Sequence, residues 1–260
     1  MGVPLLKMNL QILSSLADIE RRFGVRILLA VESGSRAWGF ASADSDFDVR
    51  FIYTHPHEWY LSVFEQRDVI EVMGPDLLDA SGWELRKALR LFAKCNLPLN
   101  EWFNSPLVYR ENPDFRRLMQ ALMADFFNPI AAVHHYLSMA RTAYEAADPD
   151  GSIRIKKLFY ALRALLACRW IELKRSQPPT EFASLVEIVS TPEEQQWIAE
   201  LLVKKSSALE ADRVVLDLRR RTEIEREMNT MTEYASRASR PQKGSTELLD
   251  SVLRQWHGMG

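Results

Sequence analysis

The sequence predicts an α+β protein in which a sheet-bearing N-terminal part is followed by a mostly helical part. Three observations carry this. Before about residue 110, short β-like runs punctuated by Gly, Pro, Asp and Ser alternate with helical stretches. After it, nearly every segment has the apolar spacing of a helix. Over 260 residues the chain is 47% apolar and 26% charged, an ordinary folded composition at a length that suits one large or two small domains. The change of character falls in "SPLVYRENPDF", so residues 1–110 and 111–260 are the expected domains.

The elements follow in order. Leu10, Leu13, Leu16 and Ile19 recur three apart and predict a helix over Leu5–Arg22, with these residues along one face. "GVRILLAVES" is an apolar run of strand length that ends at Gly34-Ser35. "SDFDVRFIY" alternates Phe47, Val49 and Phe51 with Asp46, Asp48 and Arg50, the pattern of a half-buried strand. "RDVIEVM" and "LLDA" flank Gly74-Pro75-Asp76 and read as two antiparallel strands around a turn. An apolar stripe of Leu85, Ala88, Leu89, Phe92 and Cys95 predicts a helix over Gly82–Cys95. Further helices are expected at 114–127, 129–146, 152–175, 192–206, 211–235 and 246–256. Ser152 is the expected cap of one, and Thr191-Pro192 the start of another.

Composition narrows the function classes. No apolar run approaches the roughly 20 residues of a membrane span. Cys95 and Cys168 are the only cysteines, which gives no disulfide framework and suits a cytoplasmic protein. With 33 basic and 35 acidic residues the formal charge is −2, which argues against a protein held to nucleic acid by bulk charge.

The segment "ESGSRAWGFASADSDFDVRF" concentrates chemistry. Alternation by two places Asp46 and Asp48 on one face, roughly 6–7 Å apart along the strand. Carboxylates that close repel unless a cation lies between them, and hard oxygen donors suit Mg²⁺ (or Mn²⁺). Gly34-Ser35 offers backbone N–H groups and a hydroxyl where phosphate oxygens are favoured. Together these make a coherent phosphoryl-transfer site. Trp38 lies beside the turn. His55 and His57 flank a proline with no further Cys or His nearby and read as a polar loop, and His134-His135 as packing on a helix.

Gly34-Ser35 followed by Asp46-Phe47-Asp48 resembles the signature of the DNA polymerase β-like nucleotidyltransferase superfamily. The wider strings "ESGSRAWGFASADSDFDVRFIY", "GWELRKALRLFAKCNLPLNEWFNSPLVY" and "IRIKKLFYALRALLACRW" resemble its RNA-repair-associated branch, the RlaP family, over about residues 25–185. The resemblance implies a nucleotidyltransferase domain with a small mixed sheet, and a helical domain forming the other wall of a nucleotide cleft. It implies that Asp46 and Asp48 hold two metal ions. Asp79, with Asp76 second, would complete the second metal site and help activate the attacking hydroxyl. Gly34, Ser35 and Arg36 would meet the β/γ-phosphates. In "IRIKKLFYALR", Lys156, Tyr160 and Arg163 fall at i, i+4 and i+7 with Lys157 alongside, and would contact triphosphate or base. For these the competing reading is a solvated basic face with Tyr160 in the core. Arg86 and Lys87, after the strand of Asp79, would face the cleft, with exterior charge as the alternative.

The expected activity is metal-dependent transfer of a nucleoside monophosphate from an NTP to an acceptor hydroxyl, with release of pyrophosphate. An RNA end is the leading acceptor. The rivals are transfer to a small molecule or protein on the same fold, and a nucleotide-binding regulatory module with little turnover.

Overall fold

The computed structural model describes residues 3–42, 44–74, 78–206, 212–238 and 244–257. Packing divides the chain into two compact units. The first holds Met1–Ala37, Asp46–Phe126 and Lys243–Gly260, and the second Trp38–Ser45 and Phe127–Gln242.

The first unit opens with α1 (Val3–Phe23) and β1 (Arg26–Glu32). α1 buries Ile12, Leu16 and Ile19, whereas Leu10 and Leu13 are 61% and 37% exposed. The stripe expected from the sequence is therefore corrected. Steps of three alone drift around a helix of 3.6 residues per turn, and the buried set follows i, i+4, i+7 instead. After α2 (Gly34–Trp38) come β2 (Phe47–Thr54), the short α3 (His57–Tyr60), β3 (Val69–Met73) and β4 (Leu78–Glu84). The expected antiparallel pairing of β3 with β4 is present, from Val69↔Trp83 to Met73↔Asp79. The turn bearing Pro75 and Asp76 lies outside the described residues.

The helix expected from Gly82 starts later, at α4 (Leu85–Phe92), because β4 runs on to Glu84. Two causes are visible. The parallel β2–β4 ladder continues through Phe51↔Gly82 to Tyr53↔Glu84, and a Cβ at Gly82 would lie 2.0 Å from the Phe51 ring, so only glycine lets these strands pass. Glu84 then caps α4, its Oε2 accepting from the backbone N–H of Arg86 at 2.7 Å. α5 (Leu97–Phe103), β5 (Val108–Glu111), α6 (Pro113–Phe126) and, from the chain end, α12 (Thr246–Trp256) complete the unit.

Its strands form a mixed sheet in the order β3-β4-β2-β1-β5, parallel only between β2 and β4. Both faces are covered. Ile12, Leu16 and Ile19 of α1 pack on Ile27, Ala30, Val49, Phe51 and Tyr53. On the opposite face Leu85, Leu89, Phe92, Phe103, Phe115 and Trp256 pack around Leu28, Val31 and Ile52. Val49, Phe51 and Tyr53 thus turn to α1, which leaves Asp48, Arg50 and Ile52 on the face of α4, α5, α6 and α12. Leu78 and Ala80 likewise turn to α1, so Asp79 shares the face of Asp48.

The second unit contains α7 (Pro129–Tyr144), β6 (Ser152–Arg154), α8 (Ile155–Lys174), α9 (Phe182–Val189), α10 (Pro192–Ser206), β7 (Arg213–Val215) and α11 (Leu218–Arg237). Two expected helix starts are corrected here by one cause: β6 and β7 pair antiparallel, Ser152↔Val215 to Arg154↔Arg213. Ser152 is therefore a strand residue whose Oγ accepts from Arg213 Nε at 2.8 Å, not a helix cap. The cap of α11 is Asp217, accepting from Arg220 N–H at 2.8 Å. α10 begins as expected, with Glu194 N–H donating to Thr191 Oγ1 at 3.2 Å and Thr191 N–H to Glu194 Oε2 at 2.9 Å, a reciprocal box. α8 is buried along nearly all its length, including Leu158, Phe159, Leu162, Leu165 and Cys168, and forms the centre of this unit. No described helix is long and apolar enough to cross a membrane.

Candidate active site

Asp48 and Asp79 face each other directly in the parallel β2–β4 register. β2 starts at Phe47, so Asp48 lies at its N-terminal end, ahead of the buried Phe51, Ile52 and Tyr53. Arg50, two residues on, shares the face and reaches back. Its Nη2 donates to Asp48 Oδ1 at 2.9 Å and to Asp79 Oδ2 at 2.7 Å. Its Nη1 donates to the carbonyl of Asp79 at 3.1 Å. The three side chains retain 31% (Asp48), 36% (Asp79) and 19% (Arg50) of their exposure, so solvent and solutes reach the carboxylates.

Gly34 fixes the other side of Asp48. It has φ +60°, and a Cβ built on it would lie 2.5 Å from Asp48 Oδ2. Any other residue would strain the backbone and push the carboxylate away. The N–H of Ser33 donates to the Asp48 carbonyl at 2.9 Å, which holds the Gly34-Ser35 turn to the start of β2. Ser35 is buried. Arg36 folds back on the same strand: its Nε donates to the Asp46 carbonyl at 2.9 Å and its guanidinium lies 3.7 Å over the Phe47 ring.

Asp46 is exposed and sits one residue ahead of β2. Among the described residues no three His, Cys, Asp or Glu side chains are gathered at a metal-binding spacing, so Asp46 does not close a three-acid group with Asp48 and Asp79. The donor chemistry of the pair still fits a hard divalent cation. Two half-exposed carboxylates converge on a single cationic group, and their oxygens suit Mg²⁺ or Mn²⁺.

Glu32, the last residue of β1, is the residue sequence reasoning missed. It is fully buried, its Oε1 accepts from the Asp48 N–H at 2.8 Å, and its Oε2 accepts from the Tyr109 hydroxyl. Burial pushes its carboxyl up to about 7, against the pull of the Tyr109 hydroxyl and the Asp48 N–H. Ser105 Oγ donates to the Glu32 carbonyl at 2.7 Å, so β1, β5 and the start of β2 are tied together at this residue. The one available signal is a carboxylate ending an apolar strand just before Gly-Ser.

The remaining candidates lie on other elements of the two units. On α4, Lys87 Nζ lies 2.8 Å from Asp68, and the Arg86 guanidinium lies 5.2 Å over Tyr60. In the second unit Lys156, Lys157 and Tyr160 are half-buried on α8, whereas Arg163 is fully buried. Trp38 gathers two of them. Its ring is 4.9 Å from that of Tyr160, edge-on, and 4.3 Å from the guanidinium of Arg163. Thr180 supplies a carbonyl to Arg163 Nη2 at 3.1 Å. Of the histidines, His55 stacks on Trp59 at 4.4 Å, His57 meets His257 at 3.0 Å, and His134 and His135 are exposed on α7.

Over 252 residues, 95% of each chain, the protein is 44% identical to the "Uncharacterized protein YcgL" of Bacillus subtilis (strain 168). The crystal structure of a nucleotidyltransferase-like protein from Exiguobacterium sibiricum 255-15 aligns over 86% of this chain and 74% of its own, at 12% identity and a TM-score of 0.32. The profile of RlaP, the RNA repair pathway DNA polymerase beta family, matches residues 8–255. The chain belongs to that family of polymerase β-like nucleotidyltransferases.

Proposed function

We propose that the protein transfers a nucleoside monophosphate from an NTP to the terminal hydroxyl of an RNA, releasing pyrophosphate. The observation that carries the reading is the Asp48–Asp79 pair, in register on adjacent parallel strands beside Gly34. The RNA acceptor follows from the family's RNA repair description.

Asp48 and Asp79 would hold Mg²⁺ or Mn²⁺, with Asp46 outside that pair, and Gly34, Ser35 and Arg36 would meet the β- and γ-phosphates. When bound, a divalent ion would offset triphosphate charge and make the α-phosphorus more electrophilic. Asp48 is fixed for this task from three sides: Glu32 takes its N–H, Ser33 donates to its carbonyl, and Gly34 lies against its Oδ2. The acceptor oxygen forms a bond to the α-phosphorus, and the bond from that phosphorus to the β-phosphate oxygen breaks. The hydroxyl proton passes to Asp79 Oδ1, the carboxyl oxygen opposite the one Arg50 holds. Lys156, Lys157 and Tyr160 of α8 and Lys87 of α4 serve nucleotide binding in this reading, whereas Arg163, fully buried, does not.

The reading is tested by incubating the protein with each α-labelled NTP, Mg²⁺ or Mn²⁺, and RNAs with different ends. The expected outcome is RNA lengthened by labelled nucleotide. Labelled protein or small molecule with unextended RNA would replace the RNA acceptor, and binding of NTP without any transfer would leave a regulatory module.

A further inference from the structure

Arg50 lies on the acid-bearing face of its strand, yet the proposed chemistry leaves it without a task. We infer that Arg50 is a positioning residue that acts as the site's own cation, holding Asp48 and Asp79 together and competing with a divalent ion for their oxygens. The inference rests on the reading of these carboxylates as metal ligands.

The hydrogen bonds divide into two kinds. Nη1 donates to the backbone carbonyls of Val49 and Asp79, at 3.2 and 3.1 Å. These bonds set the plane of the guanidinium against β2 and β4, whatever the carboxylates do. Nη2 then donates to Asp48 Oδ1 and Asp79 Oδ2 at 2.9 and 2.7 Å, so one NH₂ group spans both acids. The arginine is the most enclosed of the three side chains, at 19% exposure against 31% and 36%.

Two consequences follow. Carboxylates placed opposite each other on adjacent strands repel. A guanidinium anchored to backbone holds them ready before any ion arrives. A divalent ion that takes Asp48 Oδ1 or Asp79 Oδ2 must also displace Nη2, because two cations cannot share one carboxylate oxygen without strong repulsion. Loading is therefore an exchange of one cation for another over a fixed acid pair. Arg50 lowers metal affinity below what the bare carboxylates would give, and it keeps the pair assembled when no metal is present.

The test is a Mn²⁺ titration of the full chain and of Arg50→Met and Arg50→Lys, each with and without Asp48→Asn. Free ion is read by electron paramagnetic resonance and the fold by melting temperature. In Arg50→Met the binding midpoint should fall roughly tenfold or more, the scale on which one adjacent opposite charge shifts a carboxylate. Arg50→Lys should lie between it and the parent chain. Without metal, Arg50→Met should melt lower, and Mn²⁺ should raise its melting temperature further than that of the parent. Asp48→Asn should weaken binding in every background. An arginine that only braces the strand would lower the melting temperature without moving the midpoint. An unchanged or raised midpoint in Arg50→Met, with binding still sensitive to Asp48→Asn, overturns the inference and leaves the metal reading standing. Absence of Asp48-dependent binding in every chain overturns the metal reading and this inference with it. If Arg50→Met does not fold, the Arg50→Lys midpoint decides: lower supports the exchange, unchanged overturns it.

Discussion

Each of the two units holds an arginine in an ordered setting, and the settings differ in kind. Arg50, in the first unit, lies between two carboxylates that remain about one-third exposed. Arg163, in the second, is fully buried beneath the Trp38 ring at 4.3 Å, near Tyr136 at 6.0 Å, with the Thr180 carbonyl at 3.1 Å. Arg50 meets two full charges in contact with water. Arg163 meets ring faces and a carbonyl dipole inside a packed core, where its large side chain and its burial dominate. The same residue type thus bridges carboxylates in one unit and packs against rings and a carbonyl in the other. Substitutions in the two places should move different observables.

The largest separation is expected from Asp48→Ala. Nucleotide transfer should fall by two to three orders of magnitude or more, the scale of losing a dominant electrostatic contributor. The melting temperature should change little, because the side chain is half-exposed. Steady-state transfer rates beside a melting curve check both. Arg163→Ala should do the reverse. Truncating this buried side chain should cost about 3–4 kcal/mol, seen as a lowered denaturant midpoint. Equal loss of stability in Asp48→Ala and Arg163→Ala would break the contrast.

Glu32 sharpens the comparison because it is a buried carboxylate within the first unit. Unfolded, it ionises near the ordinary value of 4.5, whereas in the fold it does so near 7. Below about 4.5 both states hold the proton and this group adds no pH dependence. As pH rises towards 7 the unfolded state loses its proton first, so the fold is disfavoured progressively, by about 3 kcal/mol in all. Glu32→Gln has no such titration. Its stability relative to the parent should therefore rise across this window, as urea unfolding at a series of pH values would record. A constant difference at all pH values would remove the buried-acid account.

A smaller loss of stability than that of Arg163→Ala is expected from Gly34→Ala. Its positive φ and the 2.5 Å approach to Asp48 Oδ2 should cost about 1–2 kcal/mol of stability. Transfer activity should fall by a larger proportion than stability, because the strain bears on Asp48 itself. A variant with full activity would show that Asp48 tolerates displacement.

How far the sequence could be read follows from the range of each interaction. The period of two in "SDFDVRF" placed Asp48 and Arg50 on one face, and that period is local. The direct pairing of Asp48 with Asp79 depends on a parallel register between strands thirty residues apart, which no local pattern carries. The same limit explains Ser152 and the start of α11, where β6 and β7 pair across about sixty residues and override helical spacing. Glu32 was missed for a different reason. Its role depends on being buried against Tyr109 and the Asp48 N–H, and a carboxylate in sequence does not announce its burial. On α8 the single-face logic that grouped Lys156, Tyr160 and Arg163 assumes one buried stripe, whereas this helix is enclosed almost all round.

The central claim is that the Asp48–Asp79 pair directs attack to the α-phosphorus of an NTP. The most direct measurement supplies RNA with NTP labelled at either the α- or the γ-phosphate, using the full chain, Asp48→Ala and Asp79→Ala. The account predicts label in RNA from the α-position only, matched by pyrophosphate release, and none from either variant. Label arriving from the γ-position, or α-label persisting in both variants, would contradict it.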